Sequence, residues 1–367
     1  MLIPAPKSIL IVNIRLIGDV ILTTPLIGVL RDAYPEAAID LLVNRGTGEF
    51  LEKDPRVRSI LYSERGEVRK TRRFGGYLSQ IFRKYDLAIN MNASDRGNLA
   101  VLLAGRRCQV GFYDGTHTAK DFWKKWLLTY PLLLPTETHK IRVCELVASK
   151  LGLRVEHLKA KVYWSAEDEA KVCALLADRL VVYPLFVVHP FARWNYKYWK
   201  IERFAEVSDA IARRYALTPV WTSSPAPDEI DFLHRASTLC NFPPVVIPGE
   251  LNLNQMTYLL STSSLYIGLD TAVSHLAATV GTPMVALYGP TFTQRWFPWD
   301  NDGAIDQGWC TTERLGRGKC VVVQKSMECV PCGKAGCDDR GDESPCLTAI
   351  TVSEVLEAVS CLMKRLG

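Results

Sequence analysis

The sequence lacks any uninterrupted apolar run approaching the roughly eighteen residues that cross a bilayer. A soluble chain is therefore expected. It also lacks a small-residue cleavage site after the apolar stretch Ser8 to Ile14, where Arg15 and Asp19 follow at once, so that stretch suits a buried first strand better than a signal peptide. Without an export signal, the eleven cysteines imply a reducing cytoplasm and mostly free thiols. There is no repeat at a solenoid period and no low-complexity segment. With 48% hydrophobic and 23% charged residues, extensive disorder is excluded as well. The loop after the first strand has only Gly18 where a G-x-G-x-x-G fingerprint needs three glycines, which argues against an oxidoreductase-type dinucleotide site.

What is present is an alternation of extended and helical patterns over 367 residues, a length that suits two domains. In the first half it runs through Ile9 to Asn13, Leu26 to Ala33, Ile39 to Val43, Leu87 to Met91, Leu99 to Ala104 and Gln109 to Phe112. Thr24-Pro25 has the form of a helix cap with proline at the first helical position. Ser165 to Leu180 reads as a helix with acidic residues in its first turn, and the domain boundary is placed beside it. A second alternation begins at Leu185 to His189 and ends in a strand, helix, strand unit: Leu265 to Leu269, a helical segment through Val280, a Gly281-Thr282-Pro283 turn, and Met284 to Tyr288. Thr351, three residues before Glu354, opens the last helix with a capping-box spacing. The expected class is α/β, with two doubly wound sheets facing one another, over residues 1–165 and 166–350, followed by a terminal helix over 351–367.

In the closing βαβ unit, a helix starting at the carboxyl end of a parallel strand presents unpaired amides and a positive dipole end. A phosphate-bearing ligand is the first expectation there. Asp270 is either the cap of that helix or an acceptor for sugar hydroxyls beside a phosphate. Thr271 and His275 share a helical face, although the residues taken alone favour a buried structural histidine at 275 over a ligand contact. Arg193 and Lys197, in an aromatic and basic loop, could neutralise a diphosphate, and Thr222 ends a strand among hydroxyls. Asp19 is either a proton acceptor for an attacking hydroxyl or a helix cap. Arg65, Arg69, Lys70, Arg72, Arg73, Arg83 and Lys84 crowd twenty residues, which suggests an anionic partner or else a solvated basic loop. Phe122 to Leu128 mixes large apolar groups with lysines and suits a membrane interface, an amphiphile or ordinary core packing. Cys329, Cys332, Cys337 and Cys346 leave three readings open: zinc ligands, a disulfide, or free packed thiols.

The run Ile9 to Pro25, the stretches His189-Pro190 through Lys197-Tyr198-Trp199 and Asp270-Thr271-Ala272-Val273-Ser274-His275, and then Leu287-Tyr288-Gly289-Pro290-Thr291 together resemble the ADP-heptose:lipopolysaccharide heptosyltransferases of glycosyltransferase family nine. Within that family the aromatic stretches look closest to enzymes adding the third, side-branch heptose of the inner core. The resemblance implies a GT-B fold: two Rossmann-like domains about a central cleft, acceptor on the first, nucleotide-sugar on the second, and the last helix returning to the first. It implies an inverting reaction that needs no metal or other cofactor. Asp19 would be the general base, Lys197 and Asp270 would meet the donor, and Thr271, Ser274 and His275 the diphosphate and nucleotide. Glu229 and Leu251 fall near adenine and ribose contacts. Gly18, Arg69, Arg72 and Arg73 would meet the acceptor. That acceptor would be Kdo-lipid A bearing core heptose, reached from the cytoplasm by peripheral contact with the inner membrane. One departure is that Phe191 and Ala192 stand where some relatives have threonines, leaving phosphate contact there to backbone or Arg193. Two rivals remain: a GT-B enzyme using another nucleotide-sugar, and a cysteine-bearing nucleic-acid-binding protein. The second is disfavoured because the basic residues do not surround the cysteines, so no nucleic-acid partner is expected.

Overall fold

The structure is a computed structural model that describes residues 5–63, 76–115, 118–302 and 314–366. The chain divides into two compact units, Met1–Tyr163 and Trp164–Gly367.

The first unit has strands β1 (Ser8–Asn13), β2 (Ala38–Asn44), β3 (Ser59–Ser63), β4 (Tyr85–Asn90), β5 (Gly105–Tyr113) and β6 (Tyr130–Leu133). They form one sheet in the order β3-β2-β1-β4-β5-β6, and every neighbouring pair is parallel. Its helices are α1 (Ile17–Ile21), α2 (Thr24–Ala33), α3 (Gly76–Ile81), α4 (Asp95–Ala104), α5 (Thr118–Leu127) and α6 (Val143–Lys150). Strand β1 is buried from Ile9 to Asn13, as a central parallel strand covered on both faces must be. The strand order reverses between β1 and β4, which places Asn13 and Asn90 at the point where open sheets of this kind receive ligands.

One local expectation is corrected. Thr24 is the first residue of α2, not its cap, and Thr23 before it has helical backbone because α1 leads almost directly into α2. The Thr24 hydroxyl therefore donates back to the Ile21 carbonyl at 2.8 Å and accepts from the Lys161 amide at 2.9 Å.

The second unit has β7 (Leu185–His189), β8 (Thr218–Ser223), β9 (Val245–Pro248), β10 (Leu265–Leu269), β11 (Met284–Tyr288), β12 (Arg314–Arg317) and β13 (Cys320–Gln324). Their order is β12-β13-β11-β10-β7-β8-β9, and β12 alone pairs antiparallel among these described strands. Its helices are α7 (Ala166–Asp178), α8 (Ile201–Tyr215), α9 (Pro227–Ser237), α10 (Leu253–Ser261), α11 (Ala272–Thr279), α12 (Thr293–Trp296), α13 (Pro345–Thr348) and α14 (Val352–Leu366). Ser165 and Asp168 close a capping box at the start of α7. The β10-α11-β11 unit forms as expected. Helix α11 stops at Gly281, whose φ of +70° is the left-handed conformation that a helix-ending glycine supplies.

Helix α14 completes the core of the second unit: Val355, Ala358, Val359 and Leu362 pack with Phe204, Val207 and Ile211 of α8 and with the sheet. Four buried apolar residues on one face explain that choice, since separating them from this core would expose them to water. The entry to α14 is tied down as well, by Trp199 Nε1 donating to the Ile350 carbonyl at 2.9 Å. The Thr351–Glu354 capping box forms, with the Thr351 hydroxyl 2.8 Å from the Glu354 carboxylate.

Candidate active site

In the second unit the strand order turns between β7 and β10, and the residues that follow their carboxyl ends converge. Asp270 leaves β10. Its carboxylate is ion-paired with Lys197 and accepts from the Thr291 hydroxyl at 2.6 Å. Lys197 reaches it from a short 3-10 turn, Asn195–Lys197, held by the Lys197 amide on the Trp194 carbonyl at 2.9 Å. Thr291 arrives after β11, and its loop is fixed by buried Gln324, whose Nε2 donates to the Gly289 and Thr291 carbonyls at 2.7 and 2.8 Å.

Asp270 is therefore not the cap of α11. The cap position belongs to Thr271, whose backbone is extended and whose hydroxyl makes no capping bond. The first turn of α11 thus keeps its amides free of a side-chain cap beside a lysine, an arrangement that attracts an anion. One turn further in, His275 is 5% exposed and its Nδ1 has no partner. Burial holds its imidazole down at about 4, with Asp270 opposing and Lys197 reinforcing that shift, so it is neutral at physiological pH. His189, at the end of β7, is likewise held at about 4 by burial and shares a 3.0 Å hydrogen bond with the Thr222 hydroxyl.

Other expected donor residues are placed differently. Arg193 is exposed and lies over the Trp194 ring, 5.1 Å from its centroid. The Thr222 hydroxyl is committed to His189, and Ser274 is fully buried with its hydroxyl 2.5 Å from the Leu269 carbonyl. Glu229 accepts from the Ser224 amide at 2.9 Å, fixing the loop after β8. Leu251 is half-buried, one residue before the Asn252 cap of α10. Lys197, Asp270, Thr271 and His275 are the expected residues that come together.

In the first unit Asp19 is the third residue of α1, with Leu16 at the cap position, so capping is not its role. It is 6% exposed, and Arg15 Nε stands 4.0 Å from its carboxylate. Its carbonyl is gripped by Asn13 Nδ2 at 3.0 Å and by the Thr23 hydroxyl at 2.9 Å, while Asn13 also donates to Thr23 at 2.7 Å. Those bonds leave the carboxylate itself available. Gly18 is half-buried beside it. Buried Lys140 comes to the same sheet edge, with its ammonium 3.3 Å from the Met91 carbonyl. Arg69, Arg72 and Arg73, with Arg65 and Lys70, lie outside the described residues.

Cys329 and Cys337 are exposed, Cys332 is half-buried, Cys346 is buried, and all four are free thiols. Burial, then the neighbouring Cys337, Cys332 and Cys329, push the Cys346 thiol up to about 11. Among the described residues no three His, Cys, Asp or Glu side chains are grouped as metal ligands.

Thr291, His189, Gln324, Asn13 and Lys140 carry no role in the sequence reading. Asn13, His189 and Thr291 did lie in the stretches that carry the family resemblance.

Residues 78–330 match the model of glycosyltransferase family 9 (heptosyltransferase). The chain belongs to that family. It is a glycosyltransferase. It is similar to lipopolysaccharide heptosyltransferase 3 of Escherichia coli, 28% identical over 295 residues that cover 78% of this chain and 85% of the relative. The fold is that of the crystallised family 9 glycosyl transferase of Veillonella parvula, with a TM-score of 0.78 at 19% identity and 98% of each chain covered. E. coli ADP-heptose lps heptosyltransferase II also matches, with a TM-score of 0.72 at 19% identity, 98% of this chain and 99% of that one. The fold is accordingly of the GT-B type. Among the described residues no helix of the enzyme is long and apolar enough to cross a membrane.

Proposed function

We propose that the enzyme is an inverting heptosyltransferase that moves L-glycero-D-manno-heptose from ADP-heptose to the inner core of lipopolysaccharide, adding the third or side-branch heptose. The observation that carries this reading is Lys197 paired with Asp270 at the uncapped start of α11. A departing diphosphate needs positive charge as its bond to the sugar breaks, and Lys197 with the α11 amides supplies it without a metal in this reading. Asp270 would repel a phosphate, so its partner is the heptose, whose hydroxyls donate to it as Thr291 does in the free enzyme. Neutral His275 adds no charge of its own and suits a nucleotide contact.

Asp19 takes the acceptor hydroxyl proton in this scheme. The freed oxygen attacks the anomeric carbon, the carbon–oxygen bond to the diphosphate breaks, and ADP leaves with the electron pair, inverting the configuration. The acceptor is Kdo-lipid A bearing core heptose, met at the cytoplasmic face of the inner membrane. The side-branch assignment is supported by the aromatic stretches named above and by the likeness to heptosyltransferase 3.

Thermal-shift measurements with ADP, UDP and GDP test the donor assignment. ADP should raise the melting point, and the others should leave it unchanged. An equal response to UDP or GDP would favour a different nucleotide-sugar.

A further inference from the structure

Helices α4 and α5 of the first unit carry large apolar side chains in water. Trp126 is 76% exposed, Phe122 62%, Leu127 61% and Leu99 44%. Such groups scattered singly are ordinary, but these adjoin one another. Phe122 and Trp126 are one turn apart on α5 with ring centroids 5.7 Å apart, and Leu99, Leu102, Trp123 and Leu127 line an open groove of about 320 Å³ with Asp95 and Arg96. An ionic clasp ties the two helices together at this groove. Lys124 is buried and ion-paired to Asp95 of α4 at 2.8 Å and to Asp121 of α5 at 3.1 Å, so the α4–α5 spacing does not depend on what covers the groove.

Cations border this face. Lys125 is exposed between Phe122 and Trp126 in sequence. At the end of α3, Phe82 is 59% exposed, and exposed Arg83 and Lys84 follow it. That turn abuts α4, because the Arg83 amide donates to the Leu103 carbonyl at 2.8 Å. The charge of the whole first unit agrees. Residues 1–163 contain 26 Lys and Arg against 16 Asp and Glu, a net +10, whereas residues 164–367 contain 18 against 23, a net −5. The modest +5 of the chain conceals this division.

Exposed tryptophan and phenylalanine beside lysine and arginine match the boundary between anionic headgroups and acyl chains. We infer that the α4–α5 face, with the Phe82-Arg83-Lys84 turn beside it, docks the enzyme on an anionic lipid bilayer. The inference deepens the proposed function by assigning the surface that meets the membrane holding the acceptor. It requires no sugar nucleotide, so its test is independent of the donor assignment.

The test is flotation of the full-length enzyme with phosphatidylethanolamine vesicles, with and without phosphatidylglycerol, over a range of salt concentrations. Wild type should float with the anionic vesicles, and salt should weaken the association. Phe122→Ser combined with Trp126→Ser should lower vesicle affinity by about tenfold or more while preserving the melting point, because both residues are exposed. Lys125→Glu alone should weaken binding severalfold and reduce its salt dependence. It is a separate check should the double variant fold poorly. Activity on a water-soluble, deacylated acceptor should survive both changes. Failure of wild type to float, or flotation of both variants like wild type, would overturn the assignment. So would a wild-type dimer that the double variant converts to monomer, since the face would then be an interface between copies.

Discussion

The Thr291 hydroxyl donates to the Asp270 carboxylate at 2.6 Å, across 21 residues of sequence and from the loop after the strand next to the one that Asp270 follows. This bond and the Lys197 ion pair hold the carboxylate in place before any donor arrives. Thr291→Val keeps the shape and removes the donor. Its kcat/KM should fall roughly tenfold, the cost of one hydrogen bond to a charged group. Steady-state kinetics with varied donor check it.

Lys197 carries the charge next to α11, and its loss should be felt more strongly. Lys197→Ala should lower kcat/KM for the donor about a hundredfold and abolish the ADP-induced melting shift. Lys197→Arg should recover only part of the loss, because a planar guanidinium does not replace a compact ammonium.

Asp19 has its carbonyl engaged and its carboxylate available, so the proposed base role separates from folding. Asp19→Asn and Asp19→Ala should both lower turnover about a thousandfold with the ADP melting shift intact. Retained turnover would remove Asp19 from the proton transfer.

His189 and His275 are both held at about 4, below the ordinary 6.5. A histidine kept neutral by burial stabilises the fold fully above about 6.5, and that contribution is lost as pH falls towards 4, because the unfolded chain takes up the proton first. Melting temperature should therefore drop on acidification through this window. His275→Leu, which has no proton to take up, should flatten the drop. A slope unchanged by that substitution would show that His275 does not contribute to it.

Helix α14 belongs to the second unit's core, and Leu362 is fully buried there. Leu362→Ala should cost about 3 kcal/mol of stability. Denaturant unfolding of the full chain measures it.

The sheets and the phosphate-site helix were legible because parallel strands and their crossovers impose strong apolar periodicity, as in Leu265 to Leu269 and Met284 to Tyr288. The capping box at Thr351 was legible too, because a cap is a local pattern. Choosing between Arg193 and Lys197 was not possible from pattern. A single irregular turn sends one cation onto Trp194 and the other to Asp270, and no periodicity describes such a turn. Thr291 and Gln324 escaped because their partners are set by sheet order, which sequence spacing does not encode. The apolar face of the C-terminal helix was plain, but its partners on α8 and the sheet are not encoded by periodicity.

Mass analysis of a core-heptose-bearing Kdo-lipid A acceptor, after incubation with ADP-heptose and the enzyme, probes the proposed reaction most directly. A product heavier by one heptose is expected, with ADP released in equal amount. An acceptor of unchanged mass, or ADP released without any sugar transferred, would contradict it.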